Sequence, residues 1–193
     1  MPLYDVDALL AEARRQRGQV ESLGAPLGDH EFEWRPDAGR WSIGECLEHL
    51  ALINGIYLDA IDAALAEARA AGLRADPAER AKGHGRVGDA FVRSLEPPPG
   101  RLKGKAFART VPSQKPKSVV LPAFLGAQDR LLGTIEDARG LDFRRARMRS
   151  PFFRLLRLTL GQSFGAVLAH NRRHIWQAEG VLALLRTSPQ SRD

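Results

Sequence analysis

Apolar residues recur at helical spacing along most of the chain, and the breaks between these runs mark out four long helices. Leu9, Leu10, Ala13, Val20 and Leu23, with arginines and glutamates between them, predict a first helix from about Asp5 to Leu23. The stretch LGAPLGDHEFEWRPDAGR then ends it with Gly24, Pro26, Gly28, Pro36 and Gly39. A second helix opens at Ser42. Ser42 and Glu45 form an S-x-x-E capping box, in which each side chain satisfies an orphan backbone N–H of the other, and Trp41 and Cys46 stand where a hydrophobic staple would sit. This helix is expected to run to about Ala71 and stop at Gly72. Its middle is apolar almost all round, as befits the central helix of a bundle.

Residues 73–119 are less regular. A short helix over about Val87 to Leu95 is followed by EPPPGRLKGKAFARTVPSQKPKS, a proline-rich basic run over 96–118 that cannot hold a long helix. A connection of that length within one domain is expected to lie across the bundle as a partial cover. Phe124, Leu125, Leu131, Leu132 and Ile135 predict a third long helix from about Leu121 to Ala138. A fourth runs from about Thr159 to Arg186. Four long helices with unequal loops predict an all-α four-helix bundle, one domain over residues 1–186, with 187–193 as a disordered tail.

Composition narrows the function classes. At 193 residues, 44% hydrophobic and 27% charged, the chain suits one soluble globular domain. Its formal net charge of +6 could suit an anionic partner. The excess is carried almost wholly by arginine spread through every segment, which argues against a dedicated nucleic-acid surface. The four arginines between Arg144 and Arg149 read most simply as a solvated turn. Cys46, the single cysteine, excludes an internal disulfide and a cysteine-rich zinc module, and a reducing compartment is the simple expectation. The N-terminal MPLYDVDALLAEARRQ mixes acids into its apolar residues, unlike a signal peptide, so a cytoplasmic protein without membrane attachment is expected.

The chemistry lies in the histidines, of which there are five. His170 and His174, in LAHNRRHIWQAEG, sit four apart on the fourth helix, in the stripe Val167, His170, His174, Gln177, Val181. They interrupt a core-facing surface. Two readings follow: a pair gripping one metal ion, or core imidazoles bonded to polar neighbours. HNRRH lacks the glutamate of the zincin motif, so a protease of that type fits poorly. His49, in the apolar stripe Cys46, His49, Ile53, Ile56, Ala60 of the second helix, also faces inward and offers a third ligand. One imidazole from one helix and two from another is how bundles build metal sites, and three neutral ligands leave a position open for chemistry. His30 and His84 are expected at the surface.

RWSIGECLEHL, with Trp41, Ser42, Glu45, His49 and Leu50, followed far downstream by HNRRHIWQAEGV, resembles the DinB-like superfamily of four-helix bundles. The resemblance covers nearly the whole chain in helix order. It implies that His49, His170 and His174 bind a divalent ion and that the protein is a homodimer acting on a small molecule; zinc and nickel both suit imidazole ligands. Characterised activities in that family include metal-dependent transfer of low-molecular-weight thiols and a thiol-dependent isomerase, and some relatives are labelled metal-dependent hydrolases. The resemblance therefore implies an enzyme that activates a thiol or water, or else a non-catalytic bundle serving as a binding or stress-response module. Glu45 is the candidate general base, though its capping role competes for the carboxylate. Gln177 is a candidate hydrogen-bond partner to the ligands. Cys46, one turn from His49, reads first as a small core residue and otherwise as a further ligand. No strong base emerges, which favours thiol chemistry over hydrolysis.

Overall fold

In the computed structural model, which describes residues 4–75, 83–98 and 106–188, six helices and one short hairpin follow one another. They are α1 (Val6–Gly24), α2 (Asp29–Glu33), α3 (Ile43–Ala70), α4 (Arg86–Ser94), a 3-10 turn (Ala108–Thr110), α5 (Lys117–Asp137), β1 (Arg147–Arg149), β2 (Arg157–Thr159) and α6 (Leu160–Thr187). The four long helices form the bundle: α1 and α3 each pack against both α5 and α6 and so occupy opposite corners. Asp7 meets Arg139 and Arg17 meets Asp129, so α1 and α5 run antiparallel. Leu47 and Leu50 share an apolar cluster with Val120 and Phe124, and Ile61 and Leu65 share another with Leu131 and Ile135, so α3 and α5 run parallel. That arrangement requires the long crossover between them.

The two clusters are separated by a polar belt. Gln16, Asn54, Gln128 and Asn171, one from each long helix, are fully buried at the positions where the two apolar clusters meet. Gln16 donates to Glu12 (2.7 Å) and to the Leu168 carbonyl (2.9 Å). The carboxamides of Asn54, Gln128 and Asn171 have no protein partner among the described residues.

Helix starts follow the local chemistry. The Ser42 N–H donates to Glu45 (2.9 Å), and the Glu45 N–H donates to the Ser42 hydroxyl (3.1 Å). Thr159 and Gln162 repeat the box at the head of α6. Gly72, with φ +64°, stops α3 in the left-handed region where glycine is favoured. α2, within the expected loop, seats the buried ring of Phe32 on Gly44, where a Cβ would come within 2.7 Å of the ring. α5 begins four residues earlier than its apolar spacing suggests, with Pro122 inside it. A proline so near a helix start removes a single ladder bond, and the buried Val120 draws the first turn onto the core. The hairpin was not expected. Met148 and Leu158 face each other inward, while the arginines beside them face out.

Among the described residues, α3 alone is long and apolar enough to cross a membrane by length and composition, and 50% of that stretch is buried in the bundle, as for a core helix. The descending part of the crossover, from Ala106 to Lys115, lies across the bundle as a strap. Phe107 packs on Phe152 (ring centroids 4.9 Å apart), and Arg109 donates to the Pro151 carbonyl (2.6 Å). Residues 99–105 of the proline-rich run, and 189–193 of the expected tail, lie outside the described residues.

Candidate metal centre

His49, on the second turn of α3, meets His170 and His174 on α6, and one ring nitrogen from each lies within 4.8 Å of the others. Ring centroids are 4.5 Å apart for His170 and His174, 4.7 Å for His49 and His174, and 5.2 Å for His49 and His170. Trp41 closes one side, 4.9 Å from His49 and stacked 5.7 Å from His174. The three histidines are thus one group that could hold a metal ion.

Hydrogen bonding and burial set the protonation state of the rings. His49 Nδ1 lies 2.6 Å from the Thr110 carbonyl oxygen. A carbonyl only accepts, so Nδ1 carries the proton, and in the neutral ring Nε2 keeps its lone pair. Metal-binding histidines are commonly oriented by such a bond. Nδ1 of His170 and of His174 is buried without a protein partner. Burial lowers the pKa of all three rings. It pushes His170 down to about 3, with His49 and Arg173 adding to the effect. His174 is driven well below its ordinary value by burial and then by His170, His49 and Arg173, with a side-chain hydrogen bond with Gln177, the expected partner, acting the other way. For His49, burial outweighs the opposing Thr110 bond. All three are neutral at neutral pH, the form in which imidazole binds a metal.

The other candidates lie around this group in distinct roles. Glu45 is buried at the head of α3, where its carboxylate accepts from the Ser42 N–H and from Arg35 (Nε at 2.7 Å, and a second guanidinium nitrogen). Glu48 is also buried. It accepts from the Ser113 N–H (2.9 Å) and hydroxyl (2.7 Å) and lies 3.5 Å from Lys115. Burial works to raise the Glu48 pKa, but the Ser113 and Lys115 contacts prevail and lower it. Cys46 is buried and stands outside the histidine group; burial, then the neighbouring Glu45, pushes its thiol up to about 12. Gln177 is half-buried one turn beyond His174.

His30 is exposed on α2. His84, expected at the surface, instead packs edge-on against Tyr4 (4.7 Å), with Nδ1 2.8 Å from the Thr159 hydroxyl, because Gly161 leaves room for both rings over the head of α6. Two contributors escape the sequence reading. Thr110 acts through its main-chain carbonyl, which no residue type signals. Arg173 was readable in principle, since it lies three residues after His170 and four before Gln177 on one helix stripe.

Among curated proteins and among solved structures, none matches the chain. The DinB superfamily profile does, over residues 12–178, a span that runs from within α1 to within α6 and takes in the three clustered histidines. The chain therefore belongs to the DinB superfamily.

Proposed function

We propose that the protein is a divalent-metal-dependent enzyme that activates a low-molecular-weight thiol, or water, against a small electrophilic substrate. The observation that carries this reading is the convergence of three neutral imidazoles from two helices, with one ring nitrogen of each within 4.8 Å of the others. This all-imidazole donor set suits zinc or nickel. His49, His170 and His174 would hold the ion. Bound there, it would supply Lewis acidity, the means of holding a thiol or water deprotonated near neutral pH.

The remaining residues position and exclude. The Thr110 carbonyl fixes the His49 tautomer, and Trp41 walls off water on one side. Both carboxylates nearest in sequence are engaged, Glu45 by Ser42 and Arg35, Glu48 by Ser113 and Lys115. These contacts compete with a general-base role for either carboxylate, which favours a thiol, whose ordinary pKa needs less help than that of water. The burial of His49 and His174 favours a second reading, a bundle in which the metal only stabilises the core.

Metal content by mass spectrometry on tag-free protein tests the centre. Near-stoichiometric zinc or nickel is expected in the wild type and its loss in each of His49→Ala, His170→Ala and His174→Ala. A wild type that stays empty after reloading with either ion would overturn the proposal. A loaded protein whose metal takes up no thiol would support the stabilising role instead.

A further inference from the structure

The two arginines between the α6 histidines are treated differently by the fold. Arg172 donates to Glu12 (2.7 Å) and to Glu96 (Nε at 2.8 Å). Arg173 pairs with no carboxylate among the described residues. Among the described residues its side chain makes one hydrogen bond, 3.3 Å from Nη1 to the Ser94 carbonyl at the end of α4. Capping a helix C-terminus is a common use of arginine, but this bond occupies one of five N–H donors on the guanidinium. The side chain is half-buried, and a cation taken from water without a counter-charge is costly unless an anion compensates it.

Its position supplies a place for that anion. His170, Arg173 and Gln177 fall at three- and four-residue spacing on α6, and all three are half-buried, whereas His49 and His174 are buried. Arg173 and Gln177 therefore lie at the less buried edge of the histidine group, while the His170 ring nitrogen beside them is enclosed. Arg173 follows His170 by one turn and directly precedes His174, which puts it on the helix face beside the group. The two acidic groups on the adjoining turns of α3 are already paired. Three neutral ligands would leave a divalent ion its full charge, so the loaded site has an uncompensated cation at its centre and another at its edge.

We infer that Arg173 is a specificity residue that selects an anionic partner, a thiol or acceptor bearing a carboxylate a few bonds from the group held at the three imidazoles. The inference rests on the metal-centre reading above. A guanidinium suits this role because its planar fork can meet both carboxylate oxygens. A ligand with a neutral end would leave the same guanidinium uncompensated.

Cobalt-loaded protein separates this inference from the reading beneath it, because cobalt absorption reports both loading and thiol binding without turnover. The probes are γ-mercaptobutyrate and its neutral amide, titrated against wild type, Arg173→Gln and Arg173→Lys after circular dichroism shows each folded. The wild type is expected to bind the carboxylate about tenfold more tightly than the amide. That ratio should fall to near one in Arg173→Gln and survive in part in Arg173→Lys. Taking a ratio cancels any general loss caused by removing the Ser94 contact. Cobalt loading with equal affinity for the two probes, with binding of neither, or with a preference that survives in Arg173→Gln overturns the inference and leaves the metal centre standing. Failure to load cobalt overturns both.

Discussion

Acidification of the metal-free protein tests the state of the histidines most directly. Burial holds the folded His170 ring down to about 3, whereas its ordinary value, and that of the unfolded chain, is 6.5. The folded state therefore binds fewer protons than the unfolded state between those values. Stability is full above the unfolded pKa and falls as pH falls through 6.5 towards 3. Each such ring removes about 1.4 kcal/mol per pH unit inside the window, so His170 alone should remove about 2 kcal/mol between about pH 7 and about pH 5. His174 shifts in the same direction, and so does His49, so the loss for the group is larger. Urea unfolding in chelator at the two pH values, for wild type and His170→Leu, isolates the effect. Leucine removes the titrating group at similar volume, and contributions from His84 and the carboxylates cancel in the comparison. The variant should lose about 2 kcal/mol less than the wild type on acidification. If the two proteins lose stability in parallel, the ring titrates normally in the fold and its burial is wrongly assigned.

The same neutrality means that metal uptake displaces few protons. At about pH 6.5, three ordinary imidazoles would release about one and a half protons, whereas these should release fewer than about half of one, measured by calorimetry in buffers of different ionisation enthalpy; release above one proton would contradict the depressed values. Glu48→Ala should free the strap at Ser113, speed amide exchange over residues 106–116 and weaken metal binding about tenfold, because the Thr110 carbonyl would no longer hold His49. Faster exchange with unchanged affinity would separate the strap from the site. Gly44→Ala should cost about 1–3 kcal/mol in urea unfolding, because the new methyl meets the buried Phe32 ring at 2.7 Å; an unchanged midpoint would mean that α2 is not seated on α3 as described.

What was legible in the sequence was whatever periodicity or capping carries. The stripes of α3 and α6 turned His49, His170 and His174 inward, and the box Ser42–Glu45 marked the head of α3. What was not legible depends on tertiary contact. The strands flanking Ser150–Leu156 are three residues each, too short for alternation to register against a background of arginine. α2 has five residues and is held by its seat on Gly44 rather than by propensity. The strap could be foreseen as a cover, yet its contribution at the site is a carbonyl oxygen, which every residue carries.

The density of Trp41 to His49 follows from the same geometry. Two turns at the head of one helix must start the helix, seat α2, anchor the strap and present an imidazole, with 3.6 residues per turn to distribute among four directions. Ser42 and Glu45 start the helix, and Arg35 completes the pairing of Glu45. Gly44 receives Phe32, Cys46 and Leu47 enter the apolar cluster, and Glu48 holds Ser113. Trp41 and His49 remain for the site. Both glutamates lie within one turn of the imidazole, which is where a general base would be sought, yet each is the fixed end of a structural contact. A substitution at either would reach the site by moving His49 or the Thr110 carbonyl, so a loss of activity in such a variant, without a loss of metal, is the observation that would reassign its carboxylate to proton transfer.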